Sequence, residues 1–169
     1  MNITEDYQKK LFPYAYHILG SAEDARDVIQ DVVLNYIEKR SNNIENSSAY
    51  LIKSVINRSI TLKERSKKMV GQTIWLPEPV ATEGADQWIN SREILSFTLM
   101  VLLEHLNPKE RAVFILKEAF DYSHEQISDV FGFSTVNSRQ LLRRAKNLLK
   151  EKDPELRIAR SPQGDTLFQ

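Results

Sequence analysis

The sequence predicts an all-α protein: two small helical domains joined by a linker. Three observations carry that reading. Apolar residues recur at the spacing of one helix face on either side of the middle of the chain. No stretch alternates apolar and polar residues as a half-buried strand would. Glycine and proline number only five and six in 169 residues, and Gly71, Pro77, Pro79 and Gly84 gather in residues 68–86, where apolar periodicity also fades.

The elements follow in order. A first helix from about Glu5 to Ile18 ends near Gly20, a residue suited to a left-handed cap. Ser21, with Asp24 three residues later, resembles a capping box. Ala25, Val28, Ile29, Val32, Val33, Tyr36 and Ile37 then share one face of a second helix. A third helix begins near Ser48 and carries Leu51, Ile52, Val55, Ile56 and Ile60. Beyond the linker, residues 87–105 read as a mostly apolar helix. Asn107 and Pro108 supply an N-cap and a first-turn proline for the next helix, which runs to about Phe120. Ser123 and Gln126 make a capping box for a short helix, HEQISDVF. Gly132, Phe133 and Ser134 form a tight turn, and Ser134 can cap a long helix over about 135–150. Pro154, Pro162 and Gly164 mark a loose segment at 151–169.

Lysine plus arginine total 23, as do aspartate plus glutamate, so the formal net charge is zero. That excludes a uniformly basic, histone-like protein but not a local nucleic-acid patch. The charge is unevenly placed. Residues 68–107 hold two basic and five acidic residues, and residues 108–150 hold eight and five. The absence of cysteine excludes disulfides, thiolate metal sites and cysteine nucleophiles, and suits a reducing cytoplasm. The first ten residues lack the apolar core of a secretion signal, and no apolar run approaches membrane-spanning length. A cytoplasmic protein without membrane contact is therefore expected.

Residues 123–150 carry the strongest chemical signal. Short helix, glycine turn and long basic helix together read as a helix-turn-helix. In the long helix, Leu141, Leu142, Ala145, Leu148 and Leu149 form an apolar stripe, while Arg139, Arg143, Lys146 and Lys150 share another face. A recognition helix in the major groove needs one apolar face to dock on its own domain and one polar face for bases and phosphates. Arginine can pair bidentately with guanine, and Asn137 and Gln140 could read adenine. Lysines would meet phosphate and bring salt dependence. The competing reading is a solvated basic face on a structural helix. The stretch KSVINRSITLKERSKK is a weaker signal: Lys53, Asn57 and either Ile60 or Thr61 share a face, and cations that suit a helix C-terminus follow. Glu23 and Asp24 are explained as first-turn acids. Asp27 and Asp31 lie deeper in the helix and suggest a basic protein partner.

These residues resemble a known family. YHILGSAEDARDVIQDVVLNYIEK is similar to region 2, and LNPKERAVFILKEAFDYSHEQISDVFGFSTVNSRQLLRRAKNLL to region 4, of the extracytoplasmic-function sigma factors of bacterial RNA polymerase. Trp75, Leu76, Pro77, Glu78 and Pro79 in the linker, with RQLLRRA at 139–145, resemble a subgroup that carries an additional C-terminal SnoaL-like domain. The resemblance implies region 2 over residues 1–67, an acidic linker over 68–86, region 4 over 87–150, and a tail or the start of the SnoaL-like domain over 151–169. It implies that Asp24, Asp27, Gln30 and Asp31 dock the clamp helices of the largest subunit of core RNA polymerase. It implies −10 recognition and promoter opening through Lys53, Asn57, Arg58, Thr61, Lys63 and Arg65, by capture of an unstacked base. It implies −35 recognition by Ser134, Thr135, Asn137, Arg139, Gln140, Arg143, Arg144 and Lys146. Regulation would fall to an anti-sigma factor or a C-terminal regulatory domain. Two departures stand out: Thr61 replaces a frequent aspartate, and Ser138 a small apolar residue.

No cofactor, metal site or catalytic residue is expected. His17, His105 and His124 lack metal-binding spacing, and no Walker, dinucleotide or nucleophile-elbow pattern occurs. Glu110 and Glu118 read as first-turn and surface acids. The alternative to a sigma factor is a helix-turn-helix repressor or activator acting without polymerase, which would need a dimer to match two half-sites.

Overall fold

The computed structural model describes residues 3–39, 45–70 and 97–152. Among them are seven helices and no strand: α1 (Ile3–Leu19), α2 (Ala22–Lys39), α3 (Ser47–Val70), α4 (Phe97–Leu103), α5 (Pro108–Glu118), α6 (His124–Phe131) and α7 (Thr135–Lys152). They divide into two compact units, α1–α3 and α4–α7. The expected linker and tail fall almost wholly outside the described residues, and α7 runs two residues past the predicted Lys150.

The first unit is a three-helix bundle in which each helix packs on the other two. Its connections are made by local chemistry. Gly20 sits at φ 74°, a left-handed conformation that glycine enters without a Cβ clash, and its N–H closes on the Tyr16 carbonyl at 2.7 Å. The Ser21 hydroxyl accepts from the Asp24 N–H at 3.2 Å, as its spacing predicts. The start of α3 differs by one residue. Asn46 supplies the cap, for which no residue was predicted, its side-chain oxygen accepting from Ala49 N–H at 3.0 Å. Leu11, Ala15, Ile18, Ala25, Ile29, Leu51, Val55 and Ile56 fill the core, and Phe12 stacks on Tyr16 with ring centres 5.5 Å apart.

Lys63 requires a correction. The sequence places it among exposed DNA-facing cations, but it is only 7% exposed, and its ammonium donates to the Leu19 carbonyl at the end of α1, 3.0 Å away. A lysine near a helix C-terminus satisfies an orphan carbonyl and meets the negative end of the dipole. It therefore ties α3 to α1. Lys63→Ala should destabilise the first unit by about 2 kcal/mol, as for loss of a charge-assisted hydrogen bond. Chemical denaturation measures this, and an unchanged midpoint would return Lys63 to the solvent face.

In the second unit, α4 ends at Leu103, two residues before the predicted end at 105, and residues 87–96 of that predicted helix lie outside the described residues. After Leu103 the chain tightens into i→i−3 bonds, from Glu104 N–H to Val101, His105 to Leu102 and Leu106 to Leu103. Asn107 then caps α5 with both halves of a capping box: Glu110 N–H to Asn107 Oδ1 at 2.8 Å, and Asn107 N–H to Glu110 Oε2 at 3.2 Å. Residues 111–116 of α5 are all buried, and the helix packs on α6 and α7. It ends at Glu118, short of Phe120. The Phe120 N–H reaches back to Ile115, the Tyr122 N–H reaches Leu116, and Asp121 turns the chain at φ 54°. Under α5 lies an ion pair absent from the sequence-based expectations, Arg111 Nη1 to Glu104 Oε1 at 2.6 Å, both side chains buried.

Helices α6 and α7 form the predicted helix-turn-helix, packed on each other and on α5. Ser123 and Gln126 make both capping-box bonds, at 2.8 and 3.1 Å. Gly132 ends α6 at φ 74°, its N–H on the Ser128 carbonyl. A Cβ there would meet nothing within 4 Å, so only backbone strain opposes a larger residue. Gly132→Ala should cost about 1 kcal/mol, read as a lower Tm. An unchanged Tm would remove this reason for the glycine.

Candidate nucleic-acid interface

Helix α7 is positioned from both ends of the turn. The Ser134 hydroxyl accepts from Asn137 N–H at 3.2 Å. Ser138, Leu141, Leu142, Ala145 and Leu149 are buried, while Leu148, predicted in the same stripe, is half-buried at its margin. Ser138 explains its own departure from an apolar residue: fully buried, its hydroxyl bonds His124 Nδ1 at 2.8 Å and ties the first residue of α6 to α7. Desolvation lowers the His124 pKa, and the cations Lys117, Arg139 and Lys146 act the same way against an opposing effect of Glu125.

The sign of the linkage follows. Below its ordinary value of about 6.5, His124 binds protons more readily in the unfolded chain. The stability tied to neutral His124 is complete above that value and is lost as pH falls through the lower folded pKa. Thermal melts from pH 7.5 to 5 should show that loss, and His124→Gln should reduce the slope. An identical slope in the variant would assign the acid sensitivity elsewhere.

The side of α7 away from the core exposes Asn137, Arg139, Gln140, Arg143, Arg144 and Asn147; Ser134 is exposed and Thr135 half-buried. At about 100° per residue, residues 136, 140, 143 and 147 form a stripe within roughly 60°, opposite the buried positions. The predicted basic stripe divides. Arg143 lies in this outer stripe, whereas Lys146 lies on the flank toward α5, half-buried and bonded to Glu118 at 2.5 Å. Glu118 is thus more than a surface acid. Sequence reasoning omitted Asn147, whose offset of four from Arg143 was the available signal.

On α3, Lys53, Arg58, Thr61 and Arg65 are exposed and Asn57 is half-buried. Ile60 is buried, so Thr61 is the residue sharing the outer face with Lys53 and Asn57. The Asn57 amide donates to the Lys53 carbonyl and the Thr61 hydroxyl to the Asn57 carbonyl, both at 3.0 Å. On α2, Asp27, Gln30 and Asp31 are exposed and Asp24 is half-buried. Asp31 bonds Arg58 at 3.1 Å, joining one member of each predicted set; with both side chains more than half exposed, the pair adds little stability. The linker motif, Trp75 to Pro79, lies outside the described residues. Among the described residues, no cluster of side chains suited to a metal ion occurs, and no helix is long and apolar enough to cross a membrane.

A three-helix unit and a helix-turn-helix unit in this order match two parts of one family: residues 3–69 match Sigma-70 region 2 and residues 96–149 match Sigma-70, region 4. The chain belongs to the sigma-70 family. It is 32% identical over 150 residues to the ECF RNA polymerase sigma factor SigJ of Mycobacterium tuberculosis (strain ATCC 25618 / H37Rv), covering 84% of this chain and 47% of that protein. It is 27% identical over 176 residues to SigG of the same strain, covering 89% and 48%. The chain thus spans about half the length of the curated relatives it matches. The crystal structure of M. tuberculosis SigJ is similar with a TM-score of 0.68 at 29% identity, over 89% of this chain and 52% of that one. RpoE from Bartonella quintana, solved in complex with the anti-sigma factor NepR, shares the fold with a TM-score of 0.60 at 18% identity, over 87% and 91%.

Proposed function

We propose that the protein is an extracytoplasmic-function sigma factor that binds core RNA polymerase, reads −35 and −10 promoter elements and helps open the duplex. It carries out no catalysis itself. The observation that supports this most is the pairing of a region 2 bundle with a region 4 helix-turn-helix whose long helix turns a polar, cation-bearing face outward. In this reading Ser134, Thr135, Asn137, Arg139, Gln140, Arg143 and Arg144 face the −35 element, with Lys146 a flanking cation that must leave Glu118 to reach phosphate. Lys53, Asn57, Arg58, Thr61 and Arg65 serve the −10 element. Asp24, Asp27, Gln30 and Asp31 meet the polymerase clamp helices. Arg58 and Asp31 exchange their mutual bond for these partners. The setting is the cytoplasm, and an anti-sigma factor or an attached regulatory domain controls access. Polymerase fixes the spacing of the two DNA-reading helices and so raises their effective concentration.

Mixing the full chain with core polymerase and separating complexes by size tests the first step. A stoichiometric complex weakened by Asp27→Lys is expected. Migration apart from core at micromolar concentration would overturn the assignment.

A further inference from the structure

Val136 is 57% exposed, in the first turn of α7, in a helix whose other outward residues are polar or charged. Its position argues against a packing role in its own unit. At about 100° per residue the buried positions Ser138, Leu141, Ala145 and Leu149 centre roughly opposite it. Val136 instead heads the outer stripe that continues through Gln140, Arg143 and Asn147. A β-branched residue there brings neither helix propensity nor solubility, so local folding does not explain it.

We propose that Val136 is a specificity residue that packs against the C5-methyl group of a thymine in the −35 element. Three features support that occupant. The first turn of a recognition helix is the part that meets base edges. The major groove offers one kind of apolar surface, the pyrimidine C5-methyl, and short apolar side chains are its partners. The flanking Gln140 and Arg143 carry the donors that would read neighbouring purines, so one stripe combines an apolar contact with two hydrogen-bonding ones. The inference rests on the sigma-factor reading and adds a residue to it.

The test uses holoenzyme made from the full chain and core polymerase. Duplexes are selected from a library randomised at the −35 element, and each thymine of the selected element is then replaced singly by deoxyuridine, which removes only the methyl group. Wild-type holoenzyme should lose roughly fourfold in affinity at one position, as expected for one buried methyl. Val136→Ala should bind the thymine and deoxyuridine duplexes equally, and Val136→Thr, which keeps a methyl, should retain part of the difference. Restoring the methyl as 5-methylcytosine opposite guanine at that position should recover less than thymine, because the paired base edge also changes. A −35 element whose binding is indifferent to every deoxyuridine overturns the inference and leaves the sigma reading intact. So does a Val136→Ala variant that keeps the full methyl preference. Weaker assembly of Val136→Ala with core polymerase, with the methyl preference unchanged, makes Val136 a protein contact and overturns it as well. Failure to select any −35 element overturns both readings.

Discussion

Glu104→Ala should unfold residues 97–152 under conditions where the wild type is folded. Arg111 is fully buried at the centre of this unit, and Glu104 supplies a carboxylate 2.6 Å from its guanidinium. Removing the acid takes away the carboxylate that pairs with a fully buried guanidinium, a change of about 3–5 kcal/mol. A unit of this size has a total stability of roughly 3–8 kcal/mol. The variant should therefore lose most or all of its helix-turn-helix signal in circular dichroism or amide exchange, while α1–α3 retain theirs. The opposite experiment separates pairing from volume. Glu104→Leu combined with Arg111→Met replaces both charges with apolar bulk and should recover most of the lost stability. A Glu104→Ala protein that melts within about 1 kcal/mol of wild type would show that the pair does not organise this unit.

Arg139→Ala combined with Arg143→Ala should reduce −35-dependent promoter binding by roughly 10²- to 10⁴-fold. Each bidentate arginine–guanine contact discriminates by about 1–3 kcal/mol. Both side chains are exposed and neither contributes to the buried stripe, so the fold should be unaffected. Assembly with core polymerase should persist, because the proposed docking acids lie on α2. Lys146→Ala should have a smaller effect on binding, since that ammonium already bonds Glu118. A double variant that binds −35 DNA like wild type would mean another surface reads the element.

The residues that local rules could place were placed well, and the misjudged ones depend on distant neighbours. Ser123 with Gln126, the Asn107 cap and Gly132 act within one turn, so the pattern of types along the chain revealed their roles, whereas Glu110, read only as a first-turn acid, also closes the Asn107 capping box. The cap on α3 was missed because serines at 47 and 48 compete with Asn46 as candidates, and the choice rests on backbone angles. Lys63 looked like one more surface cation because its partner, the Leu19 carbonyl, lies 44 residues away. The same reason hid the Glu118–Lys146 bond and the burial of Ser138 against His124. Glu104 and Arg111 were hidden differently, since burial of a charged pair has no sequence signature of its own. Val136 was placed on neither the apolar stripe nor the basic face; its angle to Leu141 and Ala145 was the sign that it points outward.

The most direct test is transcription in vitro with purified core polymerase, the full chain and a promoter selected by the resulting holoenzyme. The account predicts a defined transcript start that requires this chain, is lost when either the −35 or the −10 element is scrambled, and falls with Arg139→Ala plus Arg143→Ala. A chain that binds a palindromic operator as a dimer, and leaves initiation by core polymerase unchanged, would contradict it.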